Sequence, residues 1–334
     1  MRRFRSLLPL ATMAAALSAP VMANDSEAAF GLGGLELVRN EAVSMDSEDL
    51  FISKHEVRVD YRFTNRSTKD VELLVSFPLP PIPGPNADQF GAAMVPDFKT
   101  LKFTTTVDGK PVKLGMVQRS EIAGRDVTAR LAALGLPREW FGGSGEVPGF
   151  IEKLTPQQRA AYLKEGLLRR DRNFPDILMP AWDTVTHVTR RQLFPAGKTV
   201  AVSHRYEPLI GGSVGGVLYP ALRKDYPEHL RKYCVDKDFI AAFDKRSATP
   251  RAGYSNPLPY GETWISYILS SGRNWRGPIG SFRLVVDKDK PGNLVSFCMT
   301  GVRKISPTRF EVRKSQFEPK GDLDILIVEW PDPE

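Results

Sequence analysis

One stretch constrains this 334-residue chain more than any other: KHEVRVDYRFTNRSTKDVELLVSFPLPPIP, from Lys54 to Pro83. Val57, Val59, Tyr61 and Phe63 alternate with Arg58, Asp60, Arg62 and Thr64. A period of two puts the apolar set on one face and the polar set on the other, which is the pattern of a half-buried strand. The polar run from Asn65 to Asp70 is turn chemistry, after which Val71, Leu73, Val75 and Phe77 resume the alternation. The two runs are read as an antiparallel pair sharing one apolar face. Pro78, Pro80, Pro81, Pro83 and Pro85 lack backbone donors and end the ladder. The stretch dictates sheet architecture and carries no chemistry of its own.

The flanking sequence extends that architecture. Gly34 to Val38 and Glu41 to Met45 have strand character, with Arg39-Asn40 between them as a turn. Asp108-Gly109, set between Leu101–Val107 and Lys110–Leu114, is a strong hairpin signal. Residues 119–178 then read as a mainly helical excursion. Val127, Leu131 and Leu134 are spaced for one helix face, with Gly135 and Pro137 as its stop. A second helix opens at Thr155, with Pro156 in its first turn and Gln158 at the capping-box position, and runs to about Leu168. Strands return at Thr184–Leu193 and Thr199–Glu207 and are expected to pair, with Val200, Val202, His204 and Tyr206 on one face. A helical patch over 223–246 has Asp236 as N-cap and Phe239 and Phe243 on one side. Short strands follow at Thr263–Ser270, Ser281–Asp287, Leu294–Met299, Arg309–Arg313 and Leu323–Glu329. The fold class expected is mainly β: two β-sandwich-like halves, 24–210 and 211–334, with α-helical insertions.

Composition enters where compartment is at issue. Arg2, Arg3 and Arg5 precede an apolar stretch from Leu7 to Val21, and Val21-Met22-Ala23 supplies a cleavage site. This reads as an export signal ending at Ala23, with Asn24 opening a periplasmic chain; the alternative, a membrane anchor, has too short an apolar core. No later run approaches the about 18 apolar residues of a spanning helix, so the mature protein is expected not to be transmembrane. Removal of the three arginines takes the formal charge from +7 to +4, which is too mild to imply nucleic acid as a partner. The two cysteines, Cys234 and Cys298, have no neighbours at metal-ligand spacing. In an exported chain such a pair forms a disulfide, the alternative being two buried thiols. The bond is expected to staple the helical patch to the face of Leu294–Met299 that carries Leu294 and Ser296, opposite Val295, Phe297 and Met299.

Several motifs bear on chemistry. Gly211-Gly212-Ser213-Val214-Gly215 matches the nucleophile-elbow string, with His229 as a conceivable base, yet the run also suits a glycine-rich loop. His187 and His204 lie on strands expected to pair, so a two-histidine metal site stands beside the simpler reading of hydrogen-bonded core residues. No calcium loop, phosphate-binding loop or dinucleotide fingerprint occurs, and no cofactor is expected. The candidate binding surface is built from Trp140, Phe141, Arg169, Arg170, Trp182, Trp275 and Arg276, aromatic residues beside arginine, glycine or proline. The competing reading has these aromatics plugging the ends of sandwich cores.

Taken together, several segments resemble an exported bacterial family catalogued as domain of unknown function 4424. They are Asn24-Asp25-Ser26 with Gly33-Gly34-Leu35, Ser47-Glu48-Asp49-Leu50, the run ending Phe77-Pro78-Leu79-Pro80, Phe194-Pro195-Ala196-Gly197, Trp275 to Asp287, and Val295 to Cys298 with Asp322-Leu323. The resemblance spans nearly the whole mature chain and implies export and a shared fold, with no reaction and no catalytic residues. The strand pair and its Phe-Pro-Leu-Pro ending also resemble, over about thirty residues, the VIT domains of inter-α-trypsin inhibitor heavy chains, an interaction-type β fold. The function expected is a non-enzymatic binding or scaffolding protein of the cell envelope whose partner is an envelope protein or glycan. The alternative is an envelope-acting hydrolase using Ser213.

Overall fold

The computed structural model describes residues 26–31, 34–81, 101–123, 125–138, 140, 147–171, 174–250 and 253–331. Residues 1–23, expected to be an export signal, and Phe141 lie outside the described residues. The architecture is mainly β. An eight-stranded sheet is the shared layer, and a six-stranded and a four-stranded sheet both pack against its one apolar face. One continuous core joins all three, from Leu73, Val75, Phe77 and Phe194 through Val59, Tyr61 and Phe63 to Ile265, Tyr267, Ile325 and Ile327.

The alternating runs at Val57–Asn65 and Val71–Pro78 are both strands, and their apolar faces meet the same core. They do not pair, which corrects the hairpin reading. Val57–Asn65 sits in the eight-stranded sheet between Val43–Ile52 and Thr199–Tyr206. Val71–Pro78 sits in the six-stranded sheet beside Asp183–Phe194. The intervening turn is an arch between layers, held by Asn65, whose amide Nδ2 donates to Lys69 O and Phe194 O and whose Oδ1 accepts from Ser67 N. Asp183–Phe194 and Thr199–Tyr206, also expected to pair, are joined by a second arch and lie in opposite sheets. Period-two alternation reports which face is buried and is silent on which strand lies alongside. By contrast, the Asp108-Gly109 hairpin forms as expected, pairing Val107 with Lys110, with both turn residues at positive φ (47° and 77°).

The sheets do not divide at 210/211. Ile279–Asp287 pairs in parallel with Val43–Ile52, so the carboxy-terminal strands complete the eight-stranded sheet begun by the amino-terminal ones. The Tyr61 and Tyr267 hydroxyls, 3.0 Å apart, then tie that sheet to the four-stranded one across the core.

Two groups of short helices lie outside the main core. The helix Pro156–Glu165 starts at the expected capping box and ends at Gly166, φ 79°, so Leu168 opens a strand instead. With Thr128–Ala133 and Gly149–Glu152 it closes a separate core of Leu131, Ile151, Tyr162 and Trp182. The other group, Pro220–Arg223, Pro227–Lys232 and Lys237–Ser247, covers the outer face of the four-stranded sheet through Phe239, Phe243, Leu326 and Val328. Asp236 caps Lys237–Ser247 by accepting from Phe239 N at 2.7 Å. Cys234 and Cys298 form a disulfide, Cα to Cα 5.1 Å. Leu294 packs into the helical cluster and Ser296 donates to Tyr233 O, so the bond lies on the face expected for it.

Candidate functional site

The surface expected from aromatic residues and arginines does not assemble. Trp140 and Trp182 are buried in the small helical core, where their indole nitrogens donate to Trp182 O and Arg138 O. Trp275 is fully buried elsewhere, its ring centroid 4.7 Å from Phe63 and 6.0 Å from Phe194. Arg169 and Arg170 sit on the ribbon Leu168–Arg170, and Arg276 lies beside Trp275, binding Val43 O through its backbone N–H. Residues such as Trp are bulky enough that a Gly- or Arg-rich context does not keep them at the surface. Burial at the ends of the cores, the competing reading, is what these tryptophans do.

Ser213 lies within the strand Ile210–Val214, not at a strand-to-helix turn, and its hydroxyl donates to Gly215 O. His229 faces Glu262 instead, Nε2 to Oε2 3.0 Å. That carboxylate is buried and also accepts from Trp264 Nε1 at 2.8 Å and Tyr260 OH at 3.3 Å. The pair is a structural clasp between helix and sheet. His187 and His204 occupy different sheets, bonded through Nδ1 to Ser76 Oγ and Thr105 Oγ1 at 3.0 and 2.7 Å. Burial, with the Arg119 charge as a lesser cause, pushes the His187 pKa down to about 3. Among the described residues no group of three or more His, Cys, Asp or Glu is placed to hold a metal.

The feature with the shape of a ligand site is a groove of about 980 Å³ at the open end of the carboxy-terminal sandwich. It is lined from two strands of different sheets and different lengths. Arg309–Phe317 of the eight-stranded sheet runs nine residues, whereas Leu294–Phe297 of the four-stranded sheet runs four. Phe310 and Phe317 of the longer strand line the groove. Val295, Phe297, Met299 and Val302 form the opposite wall, and Leu269 adds to the lining. Phe317 is oriented by stacking on Phe282, ring centroids 4.6 Å apart.

Polar groups also line this groove. Lys314 Nζ donates to Thr300 Oγ1 at 2.8 Å, and Asp236 is engaged as a helix cap. Asp322 accepts from Ser270 N at 3.2 Å, and burial raises its pKa above the ordinary carboxylate value. Lys320 and Glu318 are exposed at the same lip. The disulfide forms part of the wall through both Cys234 and Cys298. The alternation of Val295, Phe297 and Met299 was readable as one apolar face. That this face would line an open groove was not, because what packs against it from another sheet is a tertiary property.

A second concavity, about 540 Å³, lies on the outer face of the eight-stranded sheet among Asp49, Asp60, Arg62, Arg283 and Arg313. Its charges are largely mutual partners: Arg283 meets Asp49 at 3.0 Å and Glu311 at 2.8 Å, and Arg313 meets Glu311 at 2.9 Å. A self-neutralised, solvated trough offers a ligand little unmatched charge. No described helix is long and apolar enough to cross a membrane.

A family model described as domain of unknown function (DUF4424) matches residues 23–326. No curated protein matches the sequence. Among solved structures, the chain is similar to a Legionella pneumophila protein described as a "putative nutrient binding protein". Identity is 14% and the TM-score 0.44, with 92% of this chain and 70% of that chain covered.

Proposed function

The chain belongs to the family described as domain of unknown function (DUF4424), and from that premise we propose that it is an exported, periplasmic, non-enzymatic binding protein of the cell envelope. Its ligand is a small amphipathic molecule with an elongated apolar body, seated in the groove between Leu294–Phe297 and Arg309–Phe317. The observation that carries this reading is the unclosed apolar lining of Val295, Phe297, Met299, Val302, Phe310 and Phe317, rimmed by the polar groups of Lys314, Lys320 and Glu318. An apolar floor with a few convergent polar groups, at this volume, fits an acyl or aromatic body with a polar end held at the lip. Export is supported by the basic start and apolar run of residues 1–23, and the Cys234–Cys298 bond suits an oxidising compartment.

Fluorescence titration with 1-anilinonaphthalene-8-sulfonate, and with a fluorescent fatty-acid analogue, tests the groove. The wild-type protein should bind at least one probe saturably. Met299→Lys, which places a charge on the half-exposed wall, should weaken binding by about tenfold or more, the equivalent of about 1.4 kcal/mol. Val214→Lys, far from the groove, should leave it unchanged. Absence of saturable binding, or equal loss in both variants, overturns the proposal. Mass spectrometry of protein from the native envelope should find Asn24 at the amino terminus, and full-length cytoplasmic chain would end the export reading.

A further inference from the structure

The edges of the sheets are not treated alike. One edge of the eight-stranded sheet is Lys110–Pro111, two residues carrying a cation and a residue without a backbone donor. Its other edge is Arg303–Lys304, two cations. The six-stranded sheet ends on one side at Arg125–Asp126, again short and charged. Charge, proline and brevity are the devices by which soluble proteins prevent their edges from templating another strand. The edge of the four-stranded sheet formed by Ile210–Val214 has none of them. It is five residues long, and no charged residue occurs between Glu207 and Arg223. Two of its side chains, Ile210 at 41% and Val214 at 105% relative exposure, are apolar groups held in solvent. Among the described residues only Gly261–Tyr267 pairs with it.

Register fixes which backbone groups face outward. Val214 is opposite Gly261, and the next pair, Gly215 and Tyr260, is hydrogen-bonded through Gly215 N and Tyr260 O at 2.7 Å. In an antiparallel ladder bonded and non-bonded pairs alternate. Gly211, Ser213 and Gly215 therefore turn their backbone groups inward, and Ile210, Gly212 and Val214 present theirs to the free side. What such a row binds is another extended backbone.

We propose that Ile210–Val214 is a homodimerisation edge, pairing antiparallel with the same strand of a second copy about a two-fold axis through Gly212. The sequence Ile-Gly-Gly-Ser-Val is self-complementary in that register. Ile210 lies opposite the second copy's Val214, Gly212 opposite its counterpart, and every outward donor and acceptor meets one of the opposite kind. Ile210, Gly212 and Val214 share one face, so the two exposed β-branched side chains meet across the axis as apolar cross-strand pairs. The glycine on the axis removes the side chains from the point where the backbones cross. Its own face is closed to any larger residue, since a Cβ there would lie 2.6 Å from Glu262 O. The result is an isologous interface that joins the two four-stranded sheets into one continuous sheet, with the grooves at the far edges.

Sedimentation analysis of the full chain tests this directly. Wild type should dimerise, and Val214→Lys or Ile210→Lys should raise the dissociation constant by at least about tenfold, with a melting temperature equal to that of wild type at concentrations where both are monomeric, because both side chains point into solvent. A register test is independent of affinity. A mixture of Ile210→Cys and Val214→Cys protein should give a disulfide-linked dimer on mild oxidation, and neither variant alone should do so. A wild-type chain that stays monomeric at high concentration overturns the proposal. So does a dimer that survives Val214→Lys, or crosslinking by Val214→Cys alone. Copurification of an unrelated extended segment on this edge would likewise replace the second copy as its occupant.

Discussion

The two helical groups solve the same problem by different means. Their helices are short, the longest being Lys237–Ser247 and Pro156–Glu165, and helices of this length have little stability of their own in water. The excursion around 125–182 builds a private core, with Leu131, Ile151, Tyr162, Leu168 and Trp182 packed on each other and closed by the ribbon of Leu168–Arg170 with Leu178–Pro180. The patch over 220–247 instead uses the sheet as half of its core: Leu326, Val328 and Trp330 share a cluster with Phe239 and Phe243. It is then fastened by the Cys234–Cys298 bond, the Ser296–Tyr233 hydrogen bond and the His229–Glu262 clasp. The first should open as a unit. The second should stay as long as its staple and the sheet beneath it stay.

The largest expected effect tests the staple. Closing 64 residues stabilises the fold by up to about 4 kcal/mol in the chain-entropy model. Reduction, or the Cys234→Ser/Cys298→Ser pair, should lower the melting temperature and raise amide exchange across 220–247. Exchange across 147–167 should change only as far as global unfolding does. Equal loss of protection in both groups would mean that the patch has no separate dependence on the bond. Since Cys234 and Cys298 also border the groove, probe binding should weaken in the same sample.

The staple was legible in the sequence because two cysteines in a chain read as exported leave one pairing, and the alternation at Leu294–Met299 told which face would receive it. The helix starts at Thr155 and Asp236 were legible for a similar reason: a cap is a local hydrogen-bond problem with a local solution. The arches at 66–70 and 195–198 were not. Val57–Phe63 and Val71–Phe77 present the same alternation whether they pair or face each other across a core, and only the third strand, Asp183–Phe194, decides. The strand pairing that crosses 210/211 was not legible either, because the parallel pairing of Ile279–Asp287 with Val43–Ile52 joins segments more than 200 residues apart. The tryptophans misled through their neighbours in sequence, which are not their neighbours in space.

A middle-sized effect compares the two caps. Thr155 accepts from Gln158 N at 3.2 Å while Gln158 Oε1 accepts from Thr155 N at 2.9 Å, and Asp236 accepts from Phe239 N at 2.7 Å. Removing either cap costs about 1 kcal/mol of helix stability. Thr155→Ala should release that full amount as local opening of 156–165, measured by native-state hydrogen exchange. Asp236→Ala should show less opening in the oxidised protein, because the bonded Cys234 lies two residues before the cap, and should approach the Thr155→Ala value after reduction. If Asp236→Ala opens its helix equally in both redox states, the bond does not hold that helix end.

The smallest effect concerns the foot of the excursion, where Glu121 is buried against Arg119, Oε1 to Nε 2.6 Å. Burial raises the Glu121 pKa above its ordinary 4.5, with Arg119 opposing the shift and Asp126 and Asp183 adding to it. A carboxyl whose pKa is higher in the fold than in the open chain favours folding when protonated. Its contribution is therefore complete below about pH 4.5 and is lost as pH rises through the folded value. Opening of the excursion should accordingly become easier across that window. Glu121→Gln keeps the carbonyl acceptor for Arg119 and removes the proton equilibrium, so it should flatten the trend and slightly protect 119–182 at neutral pH. The patch over 220–247 should be indifferent to the substitution. A pH dependence of exchange in 119–182 that persists unchanged in Glu121→Gln would place its origin in another titrating group.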